Sequence, residues 1–289
     1  MTFERAVREL TDSGLNLYRM ALFTDGGVRV HQFQPCSRCC NSYSIAKAFV
    51  MTAVGMLADD GLLDVNRPVC TLLPGCRFAG MDPGWQLVTV EHALTHTLGV
   101  ARGYLDIDTE DTRQYGTTDY LSLVFREPLK YLPGVHTQYT DAAFYLLSRV
   151  VEAVSGMPVD AFLQERLFTP LAFGETAWSR CPQGHPIGAT GLYLECEDML
   201  KLGVLYLNDG CCGGRRFLSS AWVQRAIARE YELHVMTPGG LIGKGGLYGQ
   251  ALVYSREHHF AAAVHAHLAR ADGERLIAYW DGIDQWTNE

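Results

Sequence analysis

Apolar positions recur along the chain with two different periods, and the period predicts which segments form helices and which form strands. Residues 2–12 have a helical period, whereas residues 15–24 and 28–33 read as two strands of a hairpin that are joined by a Gly-rich turn. The stretch SIAKAFVMTAVGMLADD, residues 44–60, is apolar on nearly every side. It therefore predicts a buried helix, and Gly61 is a suitable residue to end it.

The rest of the chain divides into a helical middle and a C-terminal part that is rich in strands. Pro and Gly separate the helical patterns of the middle, which cover residues 90–97, 117–125, 141–155 and 159–168. Residues 191–210 predict a short strand or turn followed by a helix. Strand-like runs then cover residues 231–236, 249–255 and 259–267, and the pattern of residues 272–286 predicts a closing helix.

Strands at both ends of the chain, with helices between them, predict an α/β (α+β) fold. We expect an antiparallel sheet flanked by N- and C-terminal helices and a mainly helical inserted subdomain. Residues 1–65 and 185–289 would form the lobe with the sheet, residues 66–184 would form the helical lobe, and an active site would lie between the lobes.

Composition excludes several classes of function. The 289 residues are 48% apolar and 19% charged with a formal net charge of −8, which is ordinary for a globular protein. No basic stripe that would bind nucleic acid is present, and no apolar run reaches the length of a membrane span. The N-terminus lacks the apolar core of a signal peptide. Together with an odd number of cysteines, nine, this predicts reduced thiols and a cytoplasmic location, with an extracytoplasmic location as the alternative if a signal segment had been removed.

The segment PCSRCCNSYSIAKAF, residues 35–49, contains two sets of reactive residues. Cys36, Cys39 and Cys40 are candidates for a metal or redox site. Structural zinc commonly needs two pairs of nitrogen or sulfur ligands, and no second pair at suitable spacing partners these three. We therefore interpret them as half-buried structural thiols, expect no metal or cofactor, and keep a thiol or metal protein as an alternative.

Ser44 and Lys47 form the second set, an SxxK pair. Residues three apart share one face of a helix, and Ser44 would stand in the first turn, where the helix dipole is positive. A lysine on a buried helix is unusual unless it is paired or functional, and burial penalises its ammonium form so that it can act as a base. The pair predicts a serine nucleophile with its activator, although Ser at this place is also a common helix cap.

Two further motifs carry candidate polar groups. Tyr139 lies just before a helix start, and Asp141 lies two residues later; alone, the pair is equally compatible with packing and a helix cap. Lys244 is followed by Gly245 and Gly246, which allow close approach of the backbone to a ligand. The alternative for this motif is a Gly-rich turn with a solvated lysine.

In order along nearly the whole chain, these motifs resemble the serine β-lactamase and penicillin-binding-protein family. The chain is most similar to the class C β-lactamase-related esterases and peptidases. SIAKAF at 44–49 resembles the SxxK helix of that family, and GKGG at 243–246 stands at its Lys-Thr-Gly position. Residues 94–100, 133–158 and 189–203 are similar to three further segments of the family.

The resemblance implies a role for each candidate residue. Ser44 would be the nucleophile, Lys47 its proton partner and Tyr139 a second acid/base. Lys244 would act on the phenol or bind a carboxylate of the substrate. The backbone N–H groups of Ser44 and Leu247, the latter on the strand, would form the oxyanion hole.

Departures from the family pattern shape the functional prediction. Asp141 stands where Asn is usual, close to Lys47, so that it either shifts the base role to Tyr139 or points at the substrate. Gly245 replaces Thr and lacks its hydroxyl, and Leu98 replaces Ser. We predict a serine hydrolase that cleaves a small ester, amide or peptide through an acyl-serine. The alternatives are activity on β-lactams and a catalytically weak ligand-binding protein on the same fold.

Overall fold

The computed structural model of the protein describes residues 2–73 and 80–282. Its strands are β1 (Leu17–Thr24), β2 (Gly27–Gln32), β3 (Cys39–Asn41), β4 (Ala177–Trp178), β5 (Leu192–Glu195), β6 (Cys211–Cys212), β7 (Arg215–Arg216), β8 (His234–Val235), β9 (Ile242–Gly245), β10 (Ala251–Ser255) and β11 (Phe260–Ala266). Its α-helices are α1 (Phe3–Asp12), α2 (Ala46–Asp59), α3 (Val69–Leu72), α4 (Val90–Leu94), α5 (Tyr120–Arg126), α6 (Asp141–Ser155), α7 (Val159–Leu163), α8 (Cys196–Leu207), α9 (Ser220–Ala228) and α10 (Arg270–Asp281).

The main sheet has six antiparallel strands in the order β2-β1-β11-β10-β9-β8. The N-terminal hairpin therefore pairs with strands from the C-terminal third, as predicted. Helices α1 and α10 pack on one face through a core that includes Leu10, Leu276 and Trp280. Helix α8 packs on strands β1, β10 and β11. Gly203 of α8 allows this close packing, because a Cβ there would lie 3.0 Å from the Leu252 side chain.

The helical part is built around α2, which packs against α6 and α7. Twelve of the fourteen residues of α2 are buried, including Lys47, which confirms the prediction of a buried helix. Gly61 follows the helix in the left-handed conformation, with a φ of 72°, as expected of a residue that ends a helix. Helix α6 begins and ends at the predicted residues.

The chain divides into two compact units. The sheet unit comprises the described residues of Met1–Ile45, Leu171–Ala177 and Tyr193–Glu289. The helical unit comprises the described residues of Ala46–Pro170 and Trp178–Leu192. This division differs from the predicted bounds at 65 and 185. The reason is that α2 belongs to the helical unit, since its neighbours are α6 and α7 rather than the six-stranded sheet.

Several predicted elements are shorter in the structure. The run 231–236 contributes only the two residues of β8, and the helix predicted over 90–97 ends at Leu94 because His96 has a positive φ of 54°. The closing helix begins at Arg270 and ends at Asp281; the rest of the predicted 272–286 lies outside the described residues from 283 onward.

No single helix among the described residues is long and apolar enough to cross a bilayer. Helix α6 and the segment Val159–Phe168, which are bent by 68° relative to each other, meet the length and composition requirement together.

Candidate active site

Ser44 lies in a 3₁₀ turn, Tyr43–Ile45, that runs directly into α2. Local hydrogen bonds set this turn: Tyr43 N–H donates to Asn41 Oδ1 at 2.9 Å, and Ile45 N–H donates to the Ser42 carbonyl at 3.2 Å. Tyr43 itself has a positive φ of 49°. The sequence analysis placed Ser44 in the first turn of an α-helix; the structure places it in the tighter turn that precedes the helix.

Lys47 is fully buried near the start of α2, and its ammonium group has defined partners in the helical unit. Nζ lies 2.8 Å from Asp141 Oδ1 and donates to the Ala189 carbonyl at 2.9 Å. It also lies 4.9 Å from the centre of the Tyr139 ring. A carboxylate and a carbonyl oxygen therefore surround this buried amine and satisfy its hydrogen-bond donors.

Asp141 is the first residue of α6 and is 7% exposed. Burial raises the pKa of Asp141, and the Lys47 ammonium opposes that rise. The cap position of α6 is taken by Thr140, so Asp141 is not the helix cap that the sequence left open. Its carboxylate faces Lys47 and thereby links α2 to α6 within the helical unit.

Tyr139 remains 45% exposed, although the backbone around it is firmly held. The His96 ring lies 4.4 Å from the Tyr139 ring, its Nδ1 accepts the Thr140 N–H at 3.2 Å, and its carbonyl accepts the Gln138 N–H at 2.8 Å. Sequence reasoning gave His96 no role. The signal was present in the segment LTHTLGV, but only the tertiary structure shows that this histidine positions the residues on both sides of Tyr139.

An acidic cluster adjoins Asp141. Carboxylate oxygens of Asp106, Asp108 and Asp141 lie within 4.8 Å of one another, close enough together to hold a metal ion. Thr190 donates to Asp108 at 2.5 Å, and burial raises the pKa of Asp108. The Lys47 ammonium already supplies a cation on Asp141. We therefore interpret the cluster as the carboxylate environment of a lysine and assign it no metal.

A cavity of about 230 Å³ opens beside this cluster. It is lined by Tyr139 and Asp141 and, from the acidic segment after Val100, by Asp106 and Glu110. This segment, residues 103–120, is rich in acidic and aromatic residues. In the structure its carboxylates contribute the negative wall of a cavity in the helical unit.

Lys244 lies on β9 in the sheet unit and is 7% exposed, so the alternative of a solvated lysine is wrong. Its Nζ lies 2.5 Å from Glu232 Oε2, and the Glu232 side chain is 1% exposed. His234 lies in the same charged group, and burial together with the Lys244 charge lowers the pKa of His234. The sequence analysis did not identify Glu232 as the partner of Lys244. The two residues are twelve positions apart, one in a loop and one in a strand, and no local sequence pattern indicates such a pair.

The 3₁₀ turn that carries Ser44 packs against β9 within the sheet unit. A Cβ on Gly246 would lie 2.5 Å from the Ser42 carbonyl oxygen, so glycine is required for this approach, whereas Gly245 has ordinary space. The sequence analysis placed Leu247 on the strand, which is wrong. Strand β9 ends at Gly245, and Leu247 is the first residue of a 3₁₀ turn, Leu247–Gly249. The turn itself offers no acceptor for the N–H of its first residue.

The predicted site residues thus fall into two groups. Ser44, Lys244, Gly245, Gly246 and Leu247 belong to the sheet unit. Lys47, Tyr139 and Asp141 come together in the helical unit. The chain connects the two groups directly, because the turn with Ser44 continues into the helix with Lys47.

The cysteines of the opening segment are free thiols that are partly buried. Cys39 and Cys40 lie on β3, which pairs with β5, so that successive side chains point to opposite faces. Burial raises the pKa of Cys39, and it raises the pKa of Cys40 to about 11. Both groups are therefore protonated at neutral pH, which is unfavourable for a metal ligand or a nucleophile.

A match to a known protein family covers most of the chain. The sequence profile of the family described as Beta-lactamase matches residues 38–282. The chain belongs to this family. The matched region contains every predicted site residue, from Ser44 to Leu247, and the family assignment confirms the resemblance stated from the motifs.

Relatives within the Beta-lactamase family have different names. The chain is 25% identical to penicillin-binding protein 4 of Amycolatopsis lactamdurans over 242 residues, which cover 73% of this chain and 61% of that protein. It is 32% identical to esterase EstB of Burkholderia gladioli over 139 residues, which cover 44% and 35% respectively. The chain thus spans less than two thirds of the length of either relative.

A solved structure confirms the fold. The chain superposes on a penicillin-binding protein homologue from Caulobacter crescentus with a TM-score of 0.74 at 17% identity, covering 96% of this chain and 97% of that one. The α/β fold with an antiparallel sheet and many helices is therefore that of the β-lactamase and penicillin-binding proteins.

Proposed function

We propose that this protein is a serine hydrolase that cleaves a small ester or amide through an acyl-enzyme at Ser44. The observation that carries the proposal is the environment of Lys47. A fully buried lysine three residues after Ser44 holds its ammonium 4.9 Å from the Tyr139 ring and 2.8 Å from Asp141. Charged groups are buried in this way chiefly where they are paired or functional.

The chemistry follows from these charges. Ser44 Oγ attacks the carbonyl carbon of the substrate, and its proton passes to the Tyr139 oxygen. The nearby Lys47 ammonium stabilises the ionised phenol, so Tyr139 acts as the base while Lys47 keeps its proton. Tyr139 then protonates the leaving alcohol or amine, the carbonyl bond to it breaks, and the acyl group remains on Ser44. Water, deprotonated by Tyr139, attacks the acyl-serine, releases the acid and returns the proton to Ser44.

Backbone N–H groups complete the proposed mechanism. Those of Ser44 and Leu247 would donate to the carbonyl oxygen as it becomes negative. Two features of the sheet unit support this assignment: the turn with Ser44 packs on β9, and Leu247 is the first residue of its own turn. The relatives named esterase and penicillin-binding protein support acyl transfer as the reaction class.

A ligand-binding protein with little catalytic activity is the second candidate. The pairing of Lys47 with Asp141 favours it, since a carboxylate in place of the usual Asn opposes proton loss from every nearby acid. Turnover of β-lactams is less well supported, because Gly245 lacks the hydroxyl expected at that position. Free thiols at the eight described cysteines support the further proposal of a cytoplasmic location.

Intact-mass measurement with an activated ester and, separately, a penicillin tests the proposed hydrolase. We expect a Ser44-dependent acyl adduct or Ser44-dependent turnover of the ester, and Ser44→Ala should lower kcat/KM by about 10³-fold or more. Cys40→Ala serves as the matched control, because it removes another side chain that an acylating compound could modify from the same segment. If folded wild-type protein forms no adduct and turns over neither compound, the binding protein becomes the better assignment.

A further inference from the structure

Lys244 carries a positive charge on the strand that packs against the segment with Ser44, yet that charge is already compensated. Its Nζ lies 2.5 Å from Glu232 Oε2, and the two side chains are 9% and 1% exposed. Glu232 is therefore shielded from water and can hardly exchange Lys244 for a solvent cation. A paired buried lysine and glutamate present a dipole to a bound molecule rather than a full positive charge.

The two glycines that follow Lys244 add no side-chain charge. Gly245 has no side chain, and Gly246 lies against the Ser42 backbone, where a Cβ would come within 2.5 Å of a carbonyl oxygen. In the helical unit the cavity beside Tyr139 has Asp106, Glu110 and Asp141 in its wall. In each group of candidate site residues the lysine is therefore paired with a carboxylate, Lys47 with Asp141 and Lys244 with Glu232. The cavity in the helical unit is acidic.

We propose that Glu232 is a specificity-determining residue that neutralises Lys244, so that the enzyme selects esters or amides whose leaving group has no carboxylate. This inference rests on the proposed hydrolase function. In this assignment Glu232 acts through Lys244, with which it is paired. Removing its charge while keeping its shape should expose the lysine charge to a carboxylate on the substrate.

Two thioesters that differ in one group provide the test. An S-acyl mercaptoacetate and the corresponding S-acyl mercaptoacetate methyl ester release thiols that one reagent detects equally well. For the wild-type protein we expect kcat/KM to be higher for the methyl ester. In Glu232→Gln the ratio of kcat/KM for the acid to that for the ester should rise about tenfold, and the rise should shrink as salt is added.

A matched variant separates the local effect from overall charge. Glu197→Gln removes the same charge from another ion pair of the sheet unit, the one with Arg19, and should leave the ratio unchanged. A wild-type preference for the acid, or an unchanged ratio in folded Glu232→Gln, would overturn the proposal. If Glu232→Gln does not fold, the wild-type ratio alone decides.

The same assay distinguishes failure of the role of Glu232 from failure of the proposed hydrolase function. Hydrolysis of both thioesters that is lost in Ser44→Ala, combined with a preference for the acid, contradicts only the role of Glu232. Hydrolysis of neither thioester by folded wild-type protein contradicts the proposed hydrolase function and this inference with it.

Discussion

At the scale of single residues, the substitution of Asp for the usual Asn at position 141 has the clearest consequence. The carboxylate lies 2.8 Å from the Lys47 ammonium in a buried site, where charges interact strongly. The neutral amide of an asparagine would leave the site without this negative charge beside Lys47. The position was evident from the sequence, whereas the direction of the side chain was not.

We expect Asp141→Asn to move the acidic limb of the pH–rate profile to lower pH by about one unit, since the neighbouring acids then lose a proton more readily. The measurement is kcat/KM for an activated ester between pH 4 and 9. Asp198→Asn is the control, because Asp198 is also buried and paired with a lysine, at 2.7 Å from Lys201, but lies on α8. An unchanged profile in Asp141→Asn would remove Asp141 from the mechanism.

At the scale of elements, the contact between the turn with Ser44 and the end of β9 depends on one glycine. The Ser42 carbonyl oxygen lies so close to Gly246 that a Cβ there would be only 2.5 Å from it. The turn that contains Ser44 and the turn that begins at Leu247 also contact each other through their aromatic side chains. The ring centres of Tyr43 and Tyr248 lie 5.4 Å apart. The geometry of the proposed oxyanion hole is thus set by backbone packing.

Gly246→Ala should therefore lower kcat/KM for an ester by about 10- to 100-fold, because the added methyl group displaces the Ser42 backbone two residues before the nucleophile. Gly273→Ala on α10 is a suitable control, since its Cβ would make only an ordinary contact of 3.8 Å with Gly249. Steady-state kinetics and a thermal melt of both variants provide the check. Full activity of Gly246→Ala would show that the contact does not shape the site.

At the scale of the whole molecule, the sheet unit contains a buried titratable side chain that the proposed mechanism does not use. His265 on β11 is fully buried, and neither of its ring nitrogens has a hydrogen-bond partner. Burial lowers the pKa of His265 from 6.5 to about 4. The unfolded chain therefore binds a proton more readily than the folded protein between these two pH values, and folding stability falls as the pH falls through that window.

The size of this effect follows from the two pKa values. The loss should reach about 2 kcal/mol at pH 5 relative to pH 8 and approach about 3 kcal/mol below pH 4. We expect His265→Leu to reduce the acid sensitivity of the free energy of unfolding by this amount. Urea denaturation at pH 5 and pH 8 measures it, and His259→Gln, at an exposed histidine before the same strand, should keep the wild-type difference. Equal pH dependence of wild type and His265→Leu would contradict the assignment.

The sequence alone determined the features that depend on local order along the chain. The period of apolar residues gave α1, the β1–β2 hairpin, α2 and α6 nearly residue by residue, because each buries a face that its own spacing defines. The order of the motifs also gave the family, which the match over residues 38–282 confirms. Short elements such as β8 were overestimated, since two paired residues leave almost no periodic signal.

Only the tertiary structure decided which charges meet. Lys47 with Asp141 and Lys244 with Glu232 are pairs of residues far apart or unpatterned in sequence, and His96 reaches Tyr139 across 43 positions. The burial of each charge also depends on the packing of whole helices and strands. Electrostatic interaction depends on distance and on exclusion of water, neither of which is encoded in the local sequence, so the charges of the candidate site became known only with the fold.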